Sequence, residues 1–256
     1  MWEKVLELRD VKLVYQEPSR ETLAVEGLSL EVERGEFLSI VGPSGCGKTS
    51  VLSLVSGLYE PTGGEVRVLG KRPAEARRKV GYMLQRDALM DWRTIEKNVL
   101  LGLEIRRELN GETRKKALEM LEKYGLGDFR GAYPHELSGG MRQKAALVRT
   151  LVLSPELLLL DEPFSALDHQ TRLVLEDEVA GIIKRGGYTA VLVTHDIAEA
   201  ICMSDRIAVF SGRPAFVKRE FAVELKGSAL ERRSDPGFAA LFNAIWKELK
   251  DDEHGA

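Results

Sequence analysis

The stretch Gly42-Pro43-Ser44-Gly45-Cys46-Gly47-Lys48-Thr49 lies between an apolar run at 37–41 and a helical pattern at 48–56. It matches G-x-x-x-x-G-K-[ST], a pattern that holds phosphate when a strand precedes it and a helix follows it. Backbone N–H groups converge in such a loop, and the start of the following helix adds partial positive charge. Glycine is needed because a Cβ would block both the turn and the close approach of phosphate. The stretch predicts a nucleoside triphosphate site, and a chance glycine-rich turn is the minor alternative.

Individual side chains of this phosphate loop have separate expected roles. Lys48 should reach the β- and γ-phosphates of the nucleoside triphosphate, and the Thr49 hydroxyl should bind Mg²⁺. Cys46 is given no chemistry, because its place in the loop accounts for it. Ser50 follows directly on the helix and is grouped with the loop as a nucleotide contact.

The second candidate site is the run Leu157-Leu158-Leu159-Leu160-Asp161-Glu162-Pro163. An apolar strand that ends in two carboxylates would bring Asp161 to the edge of a sheet, where it can hold the magnesium ion through water. Glu162 would then lie beside the γ-phosphate and polarise an attacking water as the general base. A strand that merely ends in a polar turn is the weaker alternative, since a phosphate loop precedes this run.

Short apolar runs alternate with helical patterns along much of the chain. Runs that indicate buried strands lie at 80–84, 157–160, 190–194 and 207–210. Helical patterns lie at 140–153, 170–185 and 197–203. This alternation predicts an α/β fold with a mostly parallel core sheet covered on both faces. Alternating runs at 5–15 and 23–32 predict an additional antiparallel β layer.

The block 87–150 has no convincing strand pattern. Its helical patterns at 95–103 and 113–124 are separated by a turn at Asn110-Gly111. Because the block interrupts the alternation of strands and helices, it predicts an inserted helical subdomain. The nucleotide-binding core is then expected to consist of 1–86 and 151–225.

The segment 226–256 predicts a C-terminal amphipathic helix and tail. Asp235 can cap the helix and Pro236 suits its first turn. One apolar stripe follows, made of Phe238, Leu241, Phe242, Ile245, Trp246 and Leu249. Packing onto its own domain is the expected use of the stripe, and docking of another subunit is the alternative.

Composition and charge narrow the possible classes. The chain has 256 residues, of which 44% are hydrophobic and 30% charged, as in a globular protein with one large domain and an insertion. A net charge of -3 argues against a nucleic-acid partner. Two cysteines without metal-ligand spacing favour a reduced intracellular compartment. No signal peptide is evident, and no apolar run approaches the ~20 residues of a membrane span.

The family is indicated by Leu137-Ser138-Gly139-Gly140-Met141-Arg142-Gln143. A serine at a helix start followed by two glycine amides binds anions in its own right. Few other sequences place this signature before a helix and upstream of such an acidic strand. The order of motifs from Tyr15 to about Phe210 resembles that of the ABC ATPases, which are P-loop NTPases.

This resemblance implies a head-to-tail homodimer, or a pair of ABC subunits, formed on ATP binding. Ser138, Gly139 and Gly140 would contact the γ-phosphate of the ATP bound by the other subunit. Closure of the dimer would push on separate transmembrane permease subunits, and hydrolysis would reset it. The resemblance also implies a substrate-binding protein and a peripheral position on the cytoplasmic face of the cell membrane.

Four further motifs carry over from the same resemblance. Tyr15 is similar to the aromatic residue that stacks on adenine. Gln85 is similar to the glutamine that touches magnesium and the attacking water. The run 165–168, here termed the bridging loop, is similar to the segment that bridges subunits, and His195 to the switch histidine that contacts the γ-phosphate. Taken alone, Tyr15 could be an ordinary strand aromatic and His195 a structural histidine.

The sequence departs from the family pattern in two places. Met141 stands where glutamine is commonest, with little expected effect because serine and glycine amides make the phosphate contacts. Asp91 stands where proline is usual. Around it, Leu89, Met90 and Trp92 are expected to line a groove for a membrane subunit's helix, with helical-subdomain core as an equal alternative. This tryptophan and the short C-terminus resemble importer subunits for nitrate, sulfonate and taurine.

Three other functions are weaker alternatives. A soluble ABC ATPase of DNA repair or translation would usually carry coiled-coil insertions or two ATPase domains in one chain. A P-loop kinase or switch protein would have no use for the signature, the bridging loop and the switch histidine together. A catalytically inactive scaffold would not need Glu162 and His195.

Overall fold

The computed structural model of the chain describes residues 3–17 and 20–250. The strands are β1 (Lys4–Glu17), β2 (Arg20–Glu33), β3 (Phe37–Val41), β4 (Gly63–Val68), β5 (Val80–Met83), β6 (Leu157–Asp161), β7 (Thr189–Thr194), β8 (Arg206–Phe210) and β9 (Val217–Ala222). The helices are α1 (Lys48–Val55), α2 (Pro73–Ala76), α3 (Ile95–Arg106), α4 (Gly111–Lys123), α5 (Gly139–Leu151), α6 (His169–Gly186), α7 (Ile197–Met203), α8 (Ala229–Arg233) and α9 (Pro236–Lys250).

The larger sheet has the order β5-β6-β7-β3-β8-β9, and its first five strands run parallel. Every residue of β3, β6 and β7 is buried. Strands buried on both faces are nearly continuous apolar runs, which is why the sequence already marks them. The mostly parallel core predicted from the sequence is confirmed.

The register of the parallel strands places the candidate motifs side by side. Val41 at the end of β3 pairs with Thr194 at the end of β7. Asp161 at the end of β6 pairs with Val193. The phosphate loop, the acidic pair and the switch histidine therefore leave the sheet at one edge, the carboxyl edge where ligands bind in parallel sheets.

The smaller sheet is antiparallel, in the order β2-β1-β4, and confirms the predicted additional layer. Its third strand was not predicted. Gly64 in β4 has a φ of 74°, and a Cβ there would lie 2.2 Å from the Asp10 carbonyl oxygen. Glycine is thus required by the close approach of two strands, but in the sequence it resembles a turn. The charged edge strand β9 was missed as well, because all six of its residues are only partly buried or exposed and its apolar pattern is weak.

The helical block has its own hydrophobic core, formed mainly by α3, α4 and α5. The helix α5 also contacts the core beneath the larger sheet: Ala146, Leu147 and Leu151 pack there, whereas Ala145 and Val148 face the helical core. Both cores therefore share this helix. The division into 1–86 with 151–225, and 87–150, stays a prediction.

The C-terminal helix α9 packs against β8, β9 and α7. Ile245 is fully buried and most of the predicted stripe packs around it. Trp246 departs from the prediction, since 54% of its surface is exposed. The Asp235 carboxylate accepts the Gly237 N–H at 2.8 Å, as a cap does. The short helix α8 was not predicted, and the tail at 251–256 lies outside the described residues.

Candidate nucleotide-binding site

A cavity of about 320 Å³ opens at the carboxyl edge of the larger sheet. Strands β3 and β6 end in its floor, and β1 and β2 of the smaller sheet contribute a wall. It is lined by Tyr15, Thr22, Ala24, Ser44, Gly45, Gly47, Lys48, Thr49, Ser50, Gln85, Asp161, Glu162 and Arg213. The structure thus brings most of the predicted site residues together.

The phosphate loop is held in place by its own backbone. The Lys48 ammonium donates hydrogen bonds to the carbonyl oxygens of Gly42 at 2.7 Å and Pro43 at 2.9 Å. Gly47 has a φ of 125°, and a Cβ there would lie 2.8 Å from the Ala24 carbonyl oxygen. The Cys46 side chain is buried in the core, and burial raises the pKa of its thiol. This cysteine is therefore a packing residue of the loop, with no reactive thiolate.

The residues expected to bind magnesium fit a small hard cation. The Thr49 hydroxyl donates to one Asp161 carboxylate oxygen at 3.2 Å, and the Tyr82 hydroxyl donates to the other at 3.1 Å. Burial raises the pKa of Asp161, so a cation beside this carboxylate would supply charge that the site lacks. No cluster of three or more acidic, histidine or cysteine ligands occurs in the described residues.

The Glu162 carboxylate is the point where predicted catalytic residues converge. Gln85 Nε2 donates to Glu162 Oε2 at 3.3 Å, and His195 Nδ1 lies 3.3 Å from the same oxygen. The Glu162 backbone has a φ of 44°, a left-handed conformation that costs free energy outside glycine. Its N–H is fixed to the Val193 carbonyl oxygen at 2.8 Å. The Glu162 backbone is therefore strained but held by a hydrogen bond, and its side chain lines the cavity.

Tyr15 lines the cavity and its ring position is fixed by two neighbours. Its hydroxyl donates to the Ser50 hydroxyl at 3.0 Å. The Tyr59 ring packs against it edge to face, with centroids 5.4 Å apart. Ser50 therefore supports the aromatic wall as well as bordering the phosphate loop.

The signature residues lie away from this cavity. Ser138 caps α5 by accepting the Met141 N–H at 3.3 Å. Ser138 and Gly140 line a separate groove between α5 and α6. A Cβ on Gly140 would lie 2.8 Å from a methyl carbon of Thr171, which explains the glycine. Within one chain, the structure does not bring the signature and the phosphate loop together.

Four residues of the site were missed from the sequence: Thr22 and Ala24 in the wall of the cavity, Arg213 and Tyr82. The Arg213 guanidinium donates to the Gly45 carbonyl oxygen at 3.2 and 2.9 Å and lines the cavity. It lies in a Gly-Arg-Pro turn after β8, which carries no motif. Tyr82 lies on β5, whose neighbour is β6, so only the sheet order places it beside Asp161. Burial and the nearby carboxylate raise the pKa of the Tyr82 hydroxyl, which stays a donor.

The stretch around Trp92 divides between two environments. Leu89 is 8% exposed and belongs to the helical core, so it matches the core alternative. Met90 is partly buried, and its N–H donates to the Asn98 side chain at 2.7 Å. Trp92 is 76% exposed, and Leu84 nearby in sequence is 44% exposed.

A strand, a glycine-rich phosphate loop, a helix and a neighbouring acidic strand end define a P-loop nucleoside triphosphatase. The family model for ABC transporters matches residues 25–165. The chain therefore belongs to the ABC transporter family, as an ATP-binding protein and an ATPase. None of its described helices is both long and apolar enough to cross a membrane.

Relatives match over nearly the whole chain. The chain is 48% identical over 251 residues to the uncharacterized ABC transporter ATP-binding protein YtlC of Bacillus subtilis, covering 97% of this chain and 96% of that protein. It is 36% identical over 222 residues to the nitrate import ATP-binding protein NrtD of Synechocystis, covering 87% and 84%. It is 33% identical over 248 residues to the taurine import ATP-binding protein TauB of Pelagibacter ubique, covering 93% and 94%.

A similar solved structure is the dimeric post-hydrolysis state of the ATP-binding cassette MJ0796 bound to ADP and Pi. It is 31% identical to this chain, with a TM-score of 0.74, and the match covers 86% of this chain and all of that one.

Proposed function

We propose that this chain is the ATPase subunit of an importer for a small anion, acting as a dimer on the cytoplasmic face of a cell membrane. The observation that carries the ATPase mechanism is the convergence of Gln85 and His195 on one oxygen of Glu162, both at 3.3 Å. Glu162 lines the cavity together with the phosphate loop and Asp161.

In the proposed mechanism the cavity binds ATP through the loop amides and Lys48, with the adenine against Tyr15. Glu162 accepts a proton from the attacking water, and Gln85 and His195 orient this carboxylate and the γ-phosphate. Thr49, Asp161 and Gln85 would hold Mg²⁺, which supplies positive charge against the phosphate oxygens. Phosphoryl transfer needs positioning and charge stabilisation more than covalent chemistry, and these residues provide both.

Arg213 is proposed as an additional nucleotide contact at the rim. Lys48 and Arg213 are the cationic side chains among the described residues that line the cavity. Two carboxylates, Asp161 and Glu162, line the same cavity, so a polyanionic ligand benefits from a second cation. The bonds to Gly45 hold the guanidinium at the edge of the phosphate loop.

Dimerisation is supported by the place of the signature. Ser138 caps an outward-facing helix start and lies in a groove that shares no lining residue with the nucleotide cavity. A helix start with a serine and glycine amides is suited to an anion. A second chain, placed head to tail, would bring the γ-phosphate to this position.

Permease docking is proposed at the exposed Trp92. An aromatic ring that is 76% exposed is an apolar surface suited to a helix of another subunit, and Leu84, eight residues earlier in the chain, is exposed as well. The anionic substrate is supported by the likeness to NrtD and TauB, whose names state nitrate and taurine import. A substrate-binding protein outside the membrane would complete the importer.

The dimer is tested by light scattering on Glu162→Gln with and without ATP. We expect ATP to convert a monomer to a dimer, because the variant binds ATP and stalls before hydrolysis. Adding Ser138→Ala should leave ATP binding intact and weaken the dimer, whereas adding Lys48→Ala should abolish both. A dimer that forms equally well without a nucleotide would contradict closure by ATP.

Docking and substrate are tested separately. Trp92→Ala should reduce sedimentation of the chain with native membrane vesicles and leave ATP affinity unchanged. Trp246→Ala on α9 is the matched control, since that ring is also exposed. Cells that lack the chain should lose uptake of labelled nitrate, taurine or an alkanesulfonate. Normal uptake of all three, with loss of uptake of a cation instead, would contradict an anion importer.

A further inference from the structure

A buried polar cluster adjoins the switch histidine and has no part in the mechanism above. Glu199 on α7 is 4% exposed, and its carboxyl accepts a hydrogen bond from the Thr194 hydroxyl at 2.9 Å. The same Thr194 oxygen accepts the Asp196 N–H at 3.0 Å. Thr194 and Asp196, on either side of His195, are therefore linked by a hydrogen bond to the Thr194 hydroxyl. The same hydroxyl is hydrogen bonded to Glu199.

The switch loop, residues 194–196, is also tied to the bridging loop. The Asp196 carboxylate caps α7 by accepting the N–H of Glu199 at 3.1 Å. Its other oxygen lies 3.7 Å from the Arg172 guanidinium. Arg172 donates in turn to the Leu167 carbonyl oxygen in the bridging loop, at 3.1 Å. A displacement of Asp196 would therefore change contacts on both loops.

Glu199 is an unusual choice for a purely structural position. Burying a carboxyl group costs free energy unless it is hydrogen bonded, and an apolar side chain would fill the same space without that cost. One of its oxygens has no partner among the described residues, as is also true of Glu176 on α6. Glu176 is 1% exposed and pairs with Arg233 at 2.6 Å. Burial and the Glu176 charge raise the pKa of Glu199 to about 8, so near neutral pH the uncharged form predominates.

We propose that Glu199 is a positioning residue for ATP hydrolysis, which acts through the Thr194 hydroxyl to hold the switch loop with His195 against Glu162. Its contact is with the loop, 2.9 Å away at Thr194, and not with the nucleotide cavity. This inference rests on the proposed role of His195. Small displacements of positioned groups reduce turnover strongly, whereas binding by the phosphate loop is unaffected.

The test compares Thr194→Val with Thr194→Ser in the full-length chain. Valine keeps the shape and removes both hydrogen bonds, so kcat should fall about 10-fold or more with KM for ATP unchanged, since small misplacements cost up to about 100-fold. Serine keeps the hydroxyl and should restore kcat. Thr150→Val is the matched control: Thr150 is buried in α5, and its hydroxyl donates to the Ala146 carbonyl oxygen of the same helix. It should leave kcat unchanged.

A second pair tests the other end of the link. Glu199→Gln keeps a hydrogen-bonding group and should retain kcat, whereas Glu199→Leu fills the space without one and should match Thr194→Val. If Thr194→Val does not fold, the comparison of Glu199→Gln with Glu199→Leu tests the proposal instead. The imidazole resonances of His195, assigned among four histidines with His195→Ala, should move in the two low-activity variants and stay in place in the two conservative ones.

The double variant with His195→Ala separates the two proposals. If Glu199 acts through His195, Thr194→Val should reduce kcat no further in a His195→Ala background. Full activity of His195→Ala alone would overturn the proposed role of His195. Loss of activity in His195→Ala, with wild-type kcat in Thr194→Val and Glu199→Leu, would overturn the positioning role of Glu199 and leave that of His195 standing.

Discussion

The two sides of the cavity are built in different ways. On the phosphate side, Lys48 is 5% exposed and bonded to two loop carbonyls, and Gly47 packs against a neighbouring strand. On the catalytic side, Glu162 has a strained backbone and its partners are exposed, with 53% of the His195 side chain open to solvent. The comparison teaches that the phosphate side is fixed by contacts within the chain, whereas much of the catalytic side is open to solvent.

The largest expected effect is on the catalytic side alone. Glu162→Gln should reduce kcat by about 10³-fold, because loss of a general base costs 10²–10⁴-fold. ATP affinity should stay within a few-fold of wild type. The measurement is phosphate release alongside equilibrium ATP binding, and parental turnover would place the general base elsewhere.

The converse variant is Lys48→Ala on the phosphate side. ATP affinity should fall about 100-fold or more, since charge-assisted hydrogen bonds contribute about 1.5–3 kcal/mol each. Titration with a fluorescent ATP analogue measures the loss. Unchanged affinity would show that the loop amides bind ATP without Lys48. The phosphate side and the catalytic side would then not differ in their effect on ATP binding.

Stability should depend on pH through the catalytic side. Burial and the charge of Glu176 raise the pKa of Glu199 to about 8, Asp196 adds to this rise, and Arg172 opposes it; Arg233 pairs with Glu176. The ordinary value is 4.5, so between pH 4.5 and about 8 the native state binds more protons than the unfolded state. The free energy of unfolding therefore falls as pH rises through this window and levels off above it, on the order of a few kcal/mol.

Urea unfolding at pH 5, 7 and 8.5 checks this dependence. Glu199→Gln cannot titrate, so its free energy of unfolding should fall less with pH than that of the wild type. The exposed Glu60→Gln is the control and should follow the wild type. Parallel curves for wild type and Glu199→Gln would show that Glu199 is charged throughout.

Rigidity of the phosphate side is tested by Gly47→Ala against Gly35→Ala. Both glycines have positive φ, 125° and 79°, but only at Gly47 would a Cβ meet backbone, 2.8 Å from the Ala24 carbonyl oxygen. Strained backbone costs about 1–3 kcal/mol. Gly47→Ala should lower the free energy of unfolding, measured in urea, by about 2 kcal/mol more than Gly35→Ala does. It should also weaken ATP binding. Equal losses of free energy of unfolding in the two variants would mean that the phosphate loop shifts to accommodate the Cβ.

The smallest expected effect concerns Arg213 at the rim. Arg213→Gln should weaken ATP binding by about 5-fold, since exposed charge pairs contribute about 1 kcal/mol at most. High salt should shrink the difference through screening. Arg219→Gln on β9 is the control and should leave affinity unchanged. An effect on folding with no effect on affinity would make Arg213 a support for the loop only.

Motifs that are local in sequence were predictable, and contacts between distant segments were not. The phosphate loop and the run ending at Glu162 each carry their chemistry within a few residues, next to strands buried enough to be recognised. Arg213 and Tyr82 carry no local pattern, and they reach the cavity only because β8 lies beside β3 and β5 beside β6. The strand β4 was hidden because glycine there serves close strand packing and not a turn.

The sequence alone determined the class of fold and the nucleotide chemistry, since apolar periodicity and glycine spacing act over short stretches of chain. Only the tertiary structure decided what the functional side chains face. It brings Gln85 and His195 to one oxygen of Glu162, keeps Ser138 away from its own cavity, and buries Glu199 against Thr194. The physical reason is that strand order and register set these neighbours, and both follow from packing of the whole core.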